Sequence, residues 1–323
     1  MEAIRWGIIG CGDVTEIKSG PALNKIENSS LVAVMRRDAA KAADYAQRHG
    51  VSKWYDDAYR IIEDPDVNAI YVATPPLSHE EYAVAALKAG KPVYLEKPMA
   101  LQATSCRRIV EVANSTGIKL TVAHYRRALP LYIKVRELLE SGVIGKILFV
   151  NCQVLQPFQS GIIAKTAVNW RTDPAISGGG LFHDLAPHHL DLMLYYFGVP
   201  KSASGYSANQ RGFYKADDIV SGEILFDNEI IFKGLWCFTV PVEAAQDHCE
   251  IVGAEGIISF SFFGSECLVN KQGKEERFKF INPLHVQQPM LEKVVSYFQE
   301  KGPNPCSGEE ASIVIETMDR FTL

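Results

Sequence analysis

The sequence predicts an α/β protein of two domains: a parallel sheet with helices on both faces over residues 1–123, and a second domain with an antiparallel sheet over 124–323. Three observations carry this. In the first third, short apolar runs alternate with helical patterns. A glycine turn stands directly after the first of those runs. Beyond about residue 124 the alternation gives way to strands separated by short turns.

"AIRWGIIG" reads as a buried strand, and "LVAVMRR", "AIYVATPP", "KPVYLEKP" and "KLTVAHYRR" read as the four that follow. Between them, "DAAKAADYAQRHG" and "SHEEYAVAALKAG" repeat Ala and Leu at helical spacing and end on Gly50 and Gly90, which suit a left-handed helix stop. The second domain opens with the helix "LPLYIKVRELLESG" and the strand "KILFVNCQVLQP", then a segment rich in glycine and histidine. Asp227-Asn228 and Gly253 to Gly256, each between β-rich runs, are hairpin signals. In "IIFKGLWCFTV" one face shows Ile230, Phe232, Trp236 and Phe238, while the other shows Ile231, Leu235 and Cys237 beside Lys233 and Thr239. A strand apolar on both faces must be covered on both. Helices cover one face, and a second subunit is the natural cover for the other, so a homo-oligomer, dimer or tetramer, is expected through this sheet.

With 33 Lys and Arg against 38 Asp and Glu, the net charge is -5 and no basic stripe is present, which argues against nucleic acid as a partner. No apolar run reaches the roughly 18 residues of a membrane span, and "MEAIRWGIIGCG" enters a turn where a signal peptide would still be apolar. A cytoplasmic protein is the expectation. Seven widely spaced cysteines without a CxxC pair suggest reduced thiols, with one disulfide left open by spacing alone. Cys11, inside the glycine turn, reads as a small space-filling residue ahead of a catalytic thiol.

Gly10, Gly12 and Thr15 in "WGIIGCGDVT" form a G-x-G-x-x-T turn between a strand and a helix, where backbone amides can approach a pyrophosphate. Thr at the third position weakens close helix packing, but the strand-turn-helix context predicts a dinucleotide site that includes Asp13 and Val14. At the end of the second strand, where an NAD site shows an acid for the ribose hydroxyls, the chain has Arg36 and Arg37. Guanidinium groups pair with a 2′-phosphate, which favours NADP, while the nearby Asp38 keeps NAD open. In "GKPVYLEKPMA" the strand delivers Lys97 to the C-terminal edge of the sheet, and Pro98 restricts its backbone to extended conformations.

The glycine turn, "ATPPLSH", "LEKP", "LLESGVIGKILFV" and "SGGGLFHDLAPHHLD" together resemble the family of glucose-fructose oxidoreductase and inositol dehydrogenase over nearly the full chain. "NWRTDPAISGGG" is similar to the branch with NADP-using sugar reductases and dimeric dihydrodiol dehydrogenase. The resemblance implies an N-terminal Rossmann domain and a C-terminal domain with an open, mostly antiparallel sheet that binds substrate and oligomerises. It places Lys97 beside the nicotinamide; Thr74 and Pro75 are expected to bind the cofactor, His79 to open the next helix near it, and Glu96 to lie near the cofactor ribose or the backbone. Asp184 and His188 match its substrate-orienting acid and acid/base histidine, with Ala186 in place of the usual glycine and an unusual Pro187 inside the pattern. Tyr125, Trp170 and Arg171 are expected to line the cofactor and substrate pocket.

The residues support these roles on their own. Asp184, His188 and Asp191 fall at i, i+4 and i+7, one face of a helix. Histidine exchanges a proton near neutral pH, and a carboxylate one turn away can orient it or grip a hydroxyl; Asp191 reads as structural. The Lys97 ammonium can stabilise an alkoxide as it develops. His183, His188 and His189 point in different directions on a helix and match no HExxH pattern, so no metal is expected. The sequence therefore predicts an NADP-dependent oxidoreductase, NAD being the alternative cofactor, acting on a small polyhydroxylated substrate. Two other classes stay open: a glycosidase using transient oxidation by retained NAD, and a non-catalytic dinucleotide sensor, against which Lys97, Asp184 and His188 argue together. Substrate contacts are expected from Lys97, Tyr125, Asp184 and His188, and which polyol is recognised is expected to depend on the loops around "QPFQSGIIAKTAVNW".

Overall fold

A computed structural model describes residues 1–162 and 170–322. They form two compact units, one of Met1–Arg126 with Pro283–Ile315, the other of Arg127–Asn282 with Glu316–Leu323. The stretch Pro283–Ile315, which a single boundary at 123/124 assigns to the second domain, clusters instead with the first.

The first unit holds six parallel strands: β1 (Ile4–Ile9), β2 (Ser29–Met35), β3 (Lys53–Tyr55), β4 (Ala69–Val72), β5 (Val93–Leu95) and β6 (Leu120–Val122). Their order is β3-β2-β1-β4-β5-β6, a Rossmann sheet whose direction of winding reverses between β1 and β4. β4, β5 and β6 are buried throughout, as strands covered by helices on both faces must be. The covering helices are α1 (Asp13–Ile17), α2 (Ala39–His49), α3 (Ala58–Glu63), α4 (His79–Lys88) and α5 (Ala103–Thr116). Asp38 caps α2 by accepting from the Lys41 N–H, and Gly50 ends it at φ +65°. β3, for which the sequence pattern gives no signal, is three residues long and none of them is buried.

The second unit carries α6 (Pro130–Glu140), α7 (Pro174–Ser177) and α8 (Gly180–Phe197) against an eight-stranded sheet. Its strands are β7 (Ile147–Leu155), β8 (Pro200–Ala208), β9 (Ile219–Phe226), β10 (Ile231–Cys237), β11 (Gln246–Gly253), β12 (Ile257–Phe260), β13 (Glu266–Lys271) and β14 (Lys274–Lys279). The order is β14-β13-β12-β11-β7-β10-β9-β8, antiparallel except for the central β7/β10 pair. Both expected hairpins are present, joining β9 to β10 and β11 to β12. On the helix-covered face, Phe182 of α8 meets Trp236 edge-on at 5.2 Å, and Phe197 lies 5.5 Å from Phe226. Tyr132 of α6 packs on Phe260 and donates to the Phe262 carbonyl at 2.5 Å.

The chain re-enters the first unit with α9 (Gln288–Phe298), whose Phe298 packs on the buried Trp6 at 5.6 Å, and the division between units falls within α10 (Gly308–Thr322). All seven cysteines are buried, and none forms a disulfide. Burial pushes the Cys11 and Cys267 thiols up to about 11, and those of Cys152 and Cys249 well above the ordinary thiol value.

Candidate functional site

In the first unit, the turn after β1 is built around two glycines. Gly10 sits at φ +95°, and a Cβ there would lie 2.7 Å from the backbone nitrogen of Thr74. The amides of Gly10 and Cys11 both donate to the Met35 carbonyl, at 2.9 and 3.0 Å. A Cβ on Gly12 would meet nothing closer than 3.9 Å, so this side of the turn is open. Thr15, expected to loosen the motif, closes it: its Oγ1 accepts the Gly12 N–H and donates to the Gly12 carbonyl, each at 2.9 Å. The Thr15 carbonyl in turn accepts the Tyr45 hydroxyl at 2.8 Å, tying α2 to the turn.

Arg36 follows β2 and is half-buried. Its Nη1 donates to the Cys11 carbonyl at 3.3 Å and would stand 4.0 Å from a Cβ on Gly12, so the guanidinium lies over the turn. Arg37 is exposed. Asp38 is committed elsewhere: it caps α2 and pairs with the Lys41 ammonium at 3.2 Å, and the Lys41 N–H is the first of the contacts that hold its carboxyl below the usual range. Asp13 is exposed and Val14 half-buried at the start of α1.

Past β4, Thr74 presents a buried Oγ1 with no hydrogen-bond partner among the described residues, and Pro75 accepts the Ser78 N–H through its carbonyl. A dinucleotide fits this set: an open glycine turn, an overlying guanidinium and an unsatisfied buried hydroxyl are what a pyrophosphate and its sugars require. At the end of β5, Lys97 is half-buried and joined to Pro98 by a cis peptide bond. Glu96 is 5% exposed and its carboxylate is occupied by the Tyr71 hydroxyl (2.6 Å), the Gln287 Nε2 (2.7 Å) and the Lys97 N–H (3.1 Å). His79 is fully buried, with Nδ1 2.9 Å from the Pro98 carbonyl and Nε2 2.7 Å from that of Thr74. Burial lowers its pKa from the ordinary imidazole value. Of the two expectations for Glu96, cofactor ribose or backbone, its bond to the Lys97 N–H is of the second kind, and His79 opens α4 with both ring nitrogens against main-chain carbonyls. Tyr125, buried, begins a short 3₁₀ turn beyond β6.

The second unit positions the acid and the histidine on α8. Pro187 lies inside this helix, which nevertheless runs from Gly180 to Phe197, so Asp184, His188 and Asp191 keep the helical spacing that puts them on one face. Asp184 accepts from Arg171 Nε at 2.9 Å, and Arg171 stacks on Trp170 at 4.4 Å. The Arg171 Nη1 is buried with no partner among the described residues. His188 is 6% exposed. Asp191, read as structural, is paired with Arg127 through Nε and Nη2 at 2.8–3.1 Å, both side chains at most 5% exposed. His183 packs so tightly against Gly179 that a Cβ there would fall 2.0 Å from its Nδ1, and burial holds this imidazole down at about 4. Of the stretch 156–170 assigned to substrate recognition, residues 163–169 lie outside the described residues.

Sequence reasoning misses Gln287 and Tyr71 around Glu96 and Arg127 around Asp191. Gln287 is 191 positions from Glu96, and no local pattern connects them.

Residues 4–124 match the oxidoreductase family with an NAD-binding Rossmann fold, and residues 132–259 match the GFO/IDH/MocA C-terminal domain. Oxidoreductase P35 of Formosa agariphila is 50% identical over 318 residues, 98% of each chain. The 1,5-anhydro-D-fructose reductase of Ensifer adhaerens is 25% identical over 314 residues, 95% of this chain and 91% of that one. Among solved structures, an oxidoreductase of Thermotoga maritima shares the fold with a TM-score of 0.87 at 23% identity, over 98% of this chain and 95% of the other. The open glycine turn thus opens an NAD(P)-binding Rossmann domain, and the chain belongs to the GFO/IDH/MocA family of oxidoreductases.

Proposed function

We propose that this oxidoreductase transfers a hydride between NADP(H) and a carbon bearing a hydroxyl or carbonyl in a sugar, cyclitol or dihydrodiol. The observation that carries the reading is the placement of Lys97, half-buried at the C-terminal end of β5 in the sheet whose β1 ends in the open glycine turn. Ligands of open α/β sheets bind at that edge. The nicotinamide supplies or takes the hydride. Lys97 stabilises the negative charge that develops on the substrate oxygen as a carbonyl is reduced. His188 exchanges the proton at that oxygen, and Asp184, oriented by Arg171, holds a neighbouring hydroxyl. Tyr125, Trp170 and Arg171 line the site in this reading, and the buried Arg171 Nη1 donates to a nucleotide or substrate oxygen. A sugar-like substrate is in keeping with the name of the Ensifer adhaerens relative.

NADP is favoured over NAD because Arg36 stands over the turn while the nearby acid, Asp38, is spent on the α2 cap. The test is a fluorescence-quenching comparison of NADPH and NADH, followed by a screen of sugars, inositols and dihydrodiols in both directions. Retained NAD with no net reduction would point to the glycosidase instead. Full turnover by Lys97→Ala or His188→Ala, with folding and cofactor binding intact, would defeat the mechanism.

The reading includes a homo-oligomer, assembled through the face of the second sheet opposite α8. Register aligns Leu225, Ile231, Phe149, Val252 and Ile257 in one apolar row across five strands, and Phe149 and Ile231 remain 37% and 43% exposed. An apolar row of this kind on an uncovered sheet face suits a second copy of the chain.

A further inference from the structure

We infer that His79 and Glu96 are positioning residues, which hold the main chain of Lys97 from its two sides and so aim its ammonium. The inference rests on the role proposed for Lys97. On the N-terminal side, Glu96 accepts the Lys97 N–H and is itself anchored by the Tyr71 hydroxyl and by Gln287. Those anchors lead back to the glycine-turn region: the Tyr71 hydroxyl also lies 3.1 Å from Ser19 Oγ, which donates to the Val14 carbonyl, and the Gln287 N–H donates to the Lys18 carbonyl. Gln287 is fixed further by the Tyr94 hydroxyl at 3.0 Å.

On the C-terminal side, His79 stands between two main-chain carbonyls, Pro98 immediately after Lys97 and Thr74 after β4; a neutral imidazole carries one N–H, assigned in this proposal to Nδ1 and donated to Pro98. Its ring spans the gap between these segments, and with no exposed surface it offers nothing to a bound nucleotide. A flexible lysine stem carries four rotatable bonds, and fixing its backbone on both flanks sets the point and direction from which they turn, which removes one source of misplacement of its charge. Small misplacements of a reacting group cost much in rate.

The two nitrogens of His79 can be separated by substitution. Asn places an amide where Nδ1 stands and keeps the Pro98 contact; Gln reaches the position of Nε2 and keeps only the Thr74 contact; Phe fills the volume and keeps neither. Reductive 13C-methylation gives each lysine an NMR resonance, and that of Lys97 is assigned by its loss in Lys97→Arg. The expected result is a shifted and broadened Lys97 resonance in His79→Phe and His79→Gln, with His79→Asn close to wild type. Glu96→Gln, which puts an amide donor against the Lys97 N–H or the Tyr71 hydroxyl, shifts the resonance as well. NADPH affinity by fluorescence quenching stays within about twofold throughout, because the turn and Arg36 are untouched. In turnover with the best substrate of the screen, kcat falls about tenfold or more in His79→Phe with KM little changed.

An unmoved Lys97 resonance in a folded His79→Phe or His79→Gln protein overturns the inference, and so does a tenfold loss of NADPH affinity with Lys97 unperturbed. Should His79→Phe not fold, the contrast between Asn and Gln decides: equal spectra reject the role. The spectra need no substrate, so a wild-type enzyme inactive on every polyol would defeat the proposed function, while the NMR result for His79 and Glu96 would stand separately.

Discussion

Removing the guanidinium of Arg36 is the sharpest test of nucleotide choice. Arg36 is half-buried, and the contact its fork makes with the Cys11 carbonyl is a long one, 3.3 Å. The remaining donors are those a 2′-phosphate would engage. Hydrogen bonds to charged groups contribute ~1.5–3 kcal/mol. At about 1.4 kcal/mol per tenfold, Arg36→Ala weakens NADPH by roughly 10- to 140-fold. The Cys11 contact is lost for both nucleotides alike, and its length makes the shared cost small, so NADH affinity changes by less than about threefold. Quenching titrations with both nucleotides read the two constants directly. Repeating them at raised salt adds a second check: charge pairing at a half-exposed arginine is screened, with a Debye length of about 10 Å at 0.1 M, so the NADPH preference of the wild type narrows. Equal losses for NADPH and NADH, or an NADPH preference that survives in Arg36→Ala, would refute the assignment.

Other expectations follow from buried groups and the open sheet face. Asp191→Ala removes the carboxylate that pairs with the buried Arg127 and costs ~3–5 kcal/mol of stability by urea unfolding; Arg127→Met with Asp191→Leu, which removes both charges, recovers much of that loss. Phe149→Glu or Ile231→Glu places charge in the apolar row and shifts the mass seen by light scattering from oligomer to monomer, while an unchanged mass would exclude this face as the interface. His183, held at about 4 in the fold against an ordinary value of 6.5, favours the neutral ring in the native state. Its stabilising contribution is therefore complete above pH 6.5 and is lost as pH falls from 6.5 toward 4, about 2 kcal/mol of it by pH 5. His183→Leu should remove that part of the acid slope in urea unfolding at about pH 7 and pH 5.

The fold is legible where periodicity is strong. Apolar runs such as Ala69–Val72 and helices capped by Asp38 and ended by Gly50 announce themselves within a short window of sequence. β3 is not legible, because three residues in half-exposed alternation carry too little signal. Hairpin logic finds the antiparallel neighbours in the second sheet but not the parallel pairing of β7 with β10, which joins Phe149 to Ile231 from distant parts of the chain. The same limit applies to the candidate site. Gly10, Gly12, Arg36 and Lys97 follow from motif and position, whereas the company of Glu96 is chosen by tertiary packing, and Thr15 gains by its hydroxyl what it forfeits in closeness. Pro187 raises a concern that the continuous helix answers at the level of backbone, since Asp184, His188 and Asp191 keep their common face.

The burial of every cysteine has a practical side. A thiol reacts as its thiolate, and burial that raises Cys11, Cys152, Cys249 and Cys267 leaves almost none of that form at neutral pH. With all seven side chains buried, slow labelling of the native protein by maleimides is the expected outcome. One cysteine placed at an exposed position such as Tyr206, 85% accessible on β8, would be the single fast-labelling point on the molecule. A fluorophore or spin label could be installed there without first deleting any of the seven native thiols.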